Sequence, residues 1–354
     1  MATLQASGIA DLLAAGLAEL NEGKWVDVSA DLQHYRALPN FLKKNRVSIQ
    51  SGHSVEWDLL HSSNGSARST GLYSNDQYNV PNVLTTGSVP WRYAEAGYQF
   101  DHREIDFNSG KRQIVSLIKS RRHAAMVDVA KFFEEKFWRV PAASNTTDPY
   151  GVPYWIVKSA TDAATDTTNK GFNGTAASGY TTVGGVNPTT YPQTRNYADA
   201  YSAITKADAV SKIWRAISMT GFEAPVASAT LNTAPQKKIY TTYSGHRGLK
   251  LLAESQNDQL GTDLDSKHGD LTIRRVPVEW VPQLDEDTTD PFYGIDWGVL
   301  KIAVKSNWWD KETVIDRVGG QHNVCSVHKD YIYQFFAPDR RRLWVISNGT
   351  TLPS

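Results

Sequence analysis

Residues 271–304, LTIRRVPVEWVPQLDEDTTDPFYGIDWGVLKIAV, and residues 321–346, QHNVCSVHKDYIYQFFAPDRRRLWVI, decide how this chain reads. Short runs rich in β-branched and aromatic residues are broken by Pro, Gly and Asp, which predicts strand after strand. Asp290-Pro291 and Gly294 punctuate one turn. Ala337-Pro338-Asp339-Arg340 is expected to join Tyr331–Phe336 to Arg342–Ile346 as a hairpin. Aromatic residues are placed to pack, and catalytic residue types in motif spacing are nearly absent.

Upstream of these strands the pattern changes period. Lys238–Tyr243 reads as a strand, and HRGLKLLAES after Gly245 reads as a helix. Thr205-Lys206-Ala207-Asp208 resembles a capping box, with Ala209, Val210, Ile213, Trp214 and Ile217 forming the helical stripe behind it. Pro141 to Thr194 is rich in Gly, Ser, Thr, Asn and Pro; apart from DPYGVPYWIV it reads as either disorder or a surface lobe. A helix is predicted from about Gly110 to Trp138, with apolar residues recurring at three- and four-residue steps from Ile114 to Phe137. At ~1.5 Å per residue it is roughly 40 Å long, a strut. Its basic residues precede its acidic ones, against the macrodipole preference, so those charges are expected to answer to neighbours.

Further toward the amino terminus, Val55, Trp57 and Leu59 alternate with Glu56 and Asp58, and Val89, Trp91 and Tyr93 alternate with Pro90, Arg92 and Ala94. Such alternation gives a ribbon with one apolar and one polar face, and a two-stranded ribbon alone is marginal in water. If the strands pair, Arg92 is placed to face Glu56 or Asp58. Ile9, Leu12, Leu13, Leu17 and Leu20 form one short amphipathic helix, stopped near Gly23.

Composition narrows the function classes. The chain has 354 residues, 40% of them hydrophobic, enough for a sizeable core. Lys+Arg and Asp+Glu are both 37, so no global basic bias points to nucleic acid. The single Cys325 forms no intrachain disulfide, in keeping with a protein made in a reducing cytoplasm. No apolar run is long enough to span a bilayer.

Candidate chemical sites are weak. On a strand His322 and His328 share one face while Cys325 points to the other, which does not converge on zinc. Asp285, Glu286, Asp287 and Asp290 lack the spacing and glycine of an EF-hand loop and read as a solvated acidic turn. Asp263 and Asp265 before Gly269-Asp270 fail similarly. Ser244-Gly245-His246-Arg247-Gly248 is not a nucleophile elbow and reads as a turn before a helix. No phosphate-binding glycine loop occurs, and no cofactor is implied.

The order of arm, long hairpin, strut helix, Gly/Thr-rich lobe and closing strands resembles the HK97-type major capsid proteins of tailed double-stranded DNA phages. RRVPVEWVPQLD, DPFYGIDWGVLK, QHNVCSVHKD and the basic Arg340–Arg342 carry the similarity. It implies an α+β, HK97-like capsid fold: amino-terminal arm 1–46, extended β-hairpin loop 47–105, spine helix of the peripheral domain 106–142, axial domain and connecting strands 143–320, and closing strands 321–354. It also implies self-association through pentamers and hexamers in the virion, after assembly in the host bacterial cytoplasm. The implied partners are a separate scaffolding protein, a portal, a cement protein and non-specifically contacted packaged DNA, with no membrane. Candidate inter-subunit contacts are Trp57, Asn64, Arg68, Tyr73, Trp91 and Arg92 of the hairpin, Arg121, Arg122, Glu134 and Glu135 of the helix, and Arg340, Arg341 and Arg342. Arg121, Arg122 and Arg340–Arg342 face either DNA phosphates or acids on neighbours. The alternative is a carbohydrate-binding or carbohydrate-active β-rich protein, suggested by 11 Trp and 16 Tyr; it requires paired carboxylates beside an aromatic cleft.

Overall fold

A computed structural model describes residues 35–39, 46–62, 65, 67–73, 75, 82–107, 111–221, 237–255, 271–316 and 323–349. The helix read at Ile9–Leu20, the ribbon residue Asn64, His322, and the Asp263–Asp270 cluster lie outside them.

One long strand organises the first sheet. β12, Val324–Phe336, is 13 residues in which aromatic, β-branched and polar side chains alternate. Its first ten residues pair antiparallel with the whole of β4, Arg92–Asp101, from Val324 opposite Asp101 to Tyr333 opposite Arg92. Its other edge is shared end to end by β10, Lys301–Lys305, and β11, Lys311–Asp316. β1, Arg46–Ile49, adds parallel to β10, making five strands.

The spine helix, Lys111–Phe137, is anchored to this sheet by its last turns. Odd-numbered residues of β12 point toward it. Phe133 packs edge-on at 4.7 Å from Tyr333 and 5.4 Å from Tyr331, and Phe137 stacks on Trp297 at 5.6 Å. Burying a side chain of this size stabilises by about 1.5–3 kcal/mol. Met126, two to three turns earlier, is half-exposed. Farther back, Arg121 donates to Gln99 O of β4, and Arg122 pairs with Glu312 on the same sheet, so the middle of the helix is tied to it as well.

The second sheet has six strands in the order β5 (Tyr197–Tyr201), β13 (Trp344–Asn348), β9 (Phe292–Asp296), β6 (Lys237–Thr241), β8 (Val276–Trp280), β7 (Thr272–Ile273). Two helices, Ser211–Met219 and Tyr243–Ser255, accompany it, and Ile213, Ile217 and Leu249 pack with Ile239, Val278, Phe292 and Trp344. Half of the capping box forms. Thr205 accepts a hydrogen bond from the Asp208 N–H, but the Asp208 carboxylate accepts from the Ser202 and Ala203 N–H groups and not from Thr205, whose N–H donates to Ala203 O.

Four readings are corrected. β12 and β13 do not form a hairpin: they lie in different sheets, and a single helical turn at Arg340–Arg342 carries the chain between them. Gly294 is not in a turn. It sits in β9 opposite Trp344, and a Cβ there would come within 2.0 Å of the Trp344 ring, so only glycine lets the indole lie across the ladder. Ser244–Gly248 lies inside the helix that opens at Tyr243; the Cβ of a larger residue at Gly248 would meet Ile204 at 2.7 Å. The hairpin is shorter than 47–105, because β1 and β4 belong to the five-stranded sheet. The projecting ribbon is β2, Ser54–Leu60, paired with β3, Leu84–Pro90.

The Gly/Thr-rich region folds as a lobe rather than a disordered loop. Its short helix Val152–Trp155 is buried, with Gly151 where a Cβ would stand 2.1 Å from the Arg139 carbonyl. Ala163, Ala177, Val183 and Val186 are buried around it.

Candidate inter-subunit surface

The ribbon is built by the alternation read in the sequence. Val55 faces Val89 and both are buried, while Glu56 and Asp58 point outward opposite Ser88 and Thr86. Trp57 lies opposite Gly87, whose missing side chain admits the indole, and packs 6.0 Å from Trp155 and 5.8 Å from Phe336. The Ser88 N–H donates to the Gly184 carbonyl at 2.8 Å, and His61 packs on Tyr191 at 4.6 Å. One face of the ribbon is thus fastened to the chain's own lobe as far out as His61. The outward face and the described loop residues beyond it are uncovered. Leu60 is 72% exposed, Leu84 59%, and Leu72 and Tyr73 almost wholly. Tyr73 adopts φ +67°, a conformation an L-residue with a large side chain rarely takes.

The proposed contact residues divide. Arg68, bonded to the Asn75 carbonyl, and Tyr73 are on the exposed outer ribbon. Arg121 pairs with Glu104 at 2.8 Å, Arg122 with Glu312 at 3.1 Å, Glu135 with Arg139 at 3.1 Å, Arg341 with Asp339 at 2.9 Å and Arg342 with Asp296 at 2.8 Å, all within the chain. Four expectations of surface position are corrected, and Trp57, half-buried against Trp155, is likewise engaged at home. Trp91 is buried, its indole N–H on the Gly52 carbonyl. Arg92 does not face Glu56 or Asp58; it donates to Thr146 O and Tyr150 Oη and lies 5.2 Å over the Tyr150 ring.

Glu134 is fully buried. Its carboxylate accepts from the backbone N–H groups of Arg36, Ala37 and Leu38 and from the Trp138 indole, at 2.9 to 3.1 Å. It fixes the end of the amino-terminal segment to the spine helix. Arg340 is also buried, donating to Trp155 O at 2.7 Å, Thr175 O at 3.0 Å, Gly174 O at 3.2 Å and Asn196 Oδ1 at 2.9 Å. Burial pushes its guanidinium down to about 9. Both charges are hydrogen-bonded by buried groups, as a buried charge requires.

The candidate chemical sites resolve into structural contacts. Asp285 accepts from the Tyr243 N–H and the Trp280 indole, Asp287 pairs with Lys158, and Asp290 accepts from Thr242 Oγ1. Cys325 is buried, and His328 contacts Glu95 and Ser326. Among the described residues no cluster of three or more His, Cys, Asp or Glu could hold a metal ion.

Sequence reading missed two exposed apolar places. Leu60 breaks the outward series Glu56, Asp58, and that break was the available signal. β11 went unread, yet among the described residues it is an outer strand of its sheet and exposes Val314 by 59% and Ile315 by 44%. Exposed apolar residues on a ribbon and on an unpaired strand edge are the features that bind another polypeptide.

No protein-family model and no curated protein matches this chain. Its fold does match solved structures. It superposes on the capsid asymmetric unit of cyanophage A-1(L) with a TM-score of 0.63 and 16% identity, over 92% of this chain and 96% of the other. The capsid of a native GTA particle gives 0.55 and 9%, over 92% and 95%. A chain of Microbacterium phage Oxtober96 gives 0.52 and 11%, over 96% and 98%. The α+β, HK97-like capsid fold expected from the sequence is the fold this chain has.

Proposed function

We propose that this chain is the major capsid subunit of a tailed double-stranded DNA phage, a structural rather than catalytic protein. It self-associates through pentamers and hexamers into an icosahedral shell around the genome, with a separate scaffolding protein, a portal and possible cement proteins as partners. Assembly takes place in the host cytoplasm and the protein resides in the virion. The observation that carries this reading is the capsid fold over nearly the whole chain, combined with a ribbon packed on its own lobe by one face and exposing leucines and a tyrosine on its outward face and loop. A surface of that kind gains cover from a neighbour, and many weak contacts per subunit accumulate through multivalency.

The carbohydrate reading finds no support. The abundant rings serve the core: Trp155, Trp297, Trp344, Tyr197, Tyr240, Tyr293 and Tyr333 are all fully buried.

Negative-stain electron microscopy of the expressed chain, with and without the scaffolding candidate from its genome, tests the proposal. Shells, tubes or capsomer rings are expected; monodisperse small particles under both conditions would refute it. Deleting Asn64–Asn79 is expected to leave a folded subunit that forms no closed shells, because the outer ribbon binds a neighbour and not its own core. Normal shells from that deletion would overturn the assignment of the ribbon.

A further inference from the structure

Thioether sulfur is the most readily oxidised group this chain offers to solvent, because its one cysteine is buried. There are three methionines, Met1, Met126 and Met219, of which Met1 lies outside the described residues. Met126 on the spine helix is 46% exposed, and Met219 at the end of Ser211–Met219 is 39% exposed, so a small oxidant reaches both. Their surroundings differ. The Met126 sulfur accepts a hydrogen bond from Lys329 Nζ at 3.5 Å, across the contact between the spine helix and β12. Among the described residues no donor bonds the Met219 sulfur.

Lys329 is fixed in place by its other partners. It is buried, donates to Asp310 Oδ1 at 2.9 Å and stands 3.9 Å from the Glu312 carboxylate. Glu312 in turn pairs with Arg122, one helical turn before Met126, at 3.1 Å. An ammonium carries three N–H donors, and a thioether is a weak acceptor. One donor of a buried cation is therefore spent on a poor partner, and that partner belongs to a half-exposed side chain. An oxygen added to this sulfur would meet a donor already aimed at it.

We infer that Met126 is a site of oxidation by hydroperoxides, and that Lys329 holds the methionine sulfoxide so formed. A sulfur lone pair attacks one peroxide oxygen; the S–O bond forms as the O–O bond breaks. Sulfur is oxidised by two electrons and the peroxide is reduced. With hydrogen peroxide, the proton on the transferred oxygen passes to the departing hydroxide, which leaves as water. The sulfoxide oxygen then accepts from the Lys329 ammonium, and a weak N–H to sulfur contact becomes a charge-assisted hydrogen bond. In a core, sulfoxide disrupts packing. Here the side chain is half-exposed and its new polar atom has a cation beside it, so oxidation tightens the tie between the spine helix and β12. Methionine sulfoxide reductases restore the thioether, which makes the change reversible.

The test treats the full chain with hydrogen peroxide, maps sulfoxide at each methionine by peptide mass spectrometry, and records calorimetric melts before and after. Oxidation at Met126 is expected to raise Tm by about 1–3 °C, the shift one charge-assisted bond gives a chain of this length. Met219→Leu is expected to keep that rise and Met126→Leu to abolish it. Met126→Gln presents an amide oxygen to Lys329 without any oxidant and is expected to melt above Met126→Leu. A Met126 that stays a thioether while Met219 is oxidised would overturn the site. A fall in Tm when the Met219→Leu protein is oxidised at Met126 would show that Lys329 does not hold the oxygen, and would overturn it as well. So would a rise that persists in Met126→Leu, which would place the effect elsewhere in the chain.

Discussion

Replacing Arg340 with methionine tests whether the link between the two sheets is held by a buried charge. Methionine keeps most of the side-chain length and removes every donor. Three bonds of 3.0 Å or less disappear, to Trp155 O, Thr175 O and Asn196 Oδ1, along with longer ones to Gly174 O and Thr194 O. A hydrogen bond from a charged donor contributes about 1.5–3 kcal/mol. The guanidinium's desolvation, several kcal/mol, opposes that sum and is relieved in the variant. The acceptors left behind are neutral carbonyls, not a stranded counter-charge, so the net loss falls at about 3 kcal/mol, the low end for breaking a buried charged network. At about 2.1 cal/mol/K per residue, this chain unfolds with an entropy of about 740 cal/mol/K, so the loss lowers Tm by about 4 °C. Differential scanning calorimetry measures it. Hydrogen exchange supplies the local readout, with lost protection expected around Val157, Gly174 and Asn196, because the arginine ties those segments together. A Tm within 1 °C of wild type with unchanged exchange at those amides would refute the reasoning and make Arg340 a spectator.

Glu134→Gln keeps the shape but presents an amide N–H₂ to a cluster of N–H donors; a loss of about 2 kcal/mol is expected, together with faster proteolysis before residue 39 in a limited digest. Asp310 is partly buried, which raises its carboxyl, but the bonds from Lys329 and Tyr331 outweigh burial and hold it below the usual 3.8. Its contribution is therefore present above that value and fades as pH falls through and below it, so Asp310→Asn should melt lower at pH 7 and show a smaller further drop between pH 5 and 3. Asp199 has the opposite sign: burial raises its carboxyl, so the ionised form weakens the fold once pH rises through the raised value. Asp199→Asn retains an oxygen for the Ala163 and Ala200 N–H groups, and is expected to stabilise the protein at pH 7 and not at pH 4 in paired thermal melts.

Local periodicity was legible because it follows from covalent geometry. Side chains alternate along a strand and recur every 3.6 residues on a helix whatever surrounds them, so the ribbon faces at Val55–Leu59, the helix ending at Phe137 and the strands of 271–346 could be read directly, and their order carried the capsid fold. The short strand Tyr197–Tyr201 was hidden because all five residues are buried, which erases alternation. The pairing of strands was not legible either. Tyr331–Phe336 and Trp344–Ile346 look like a hairpin locally, but a turn anchored by the buried Arg340 sends them to different sheets, and only contacts with residues 155–196 decide that. The same holds for charge. Glu134 and Arg340 sit among other charged residues in the sequence and read as surface, yet each is bonded inward by backbone groups distant along the chain. Burial of a charge is a property of what the fold brings to it, so tertiary structure alone settled which ionic residues are buried and which remain at the surface.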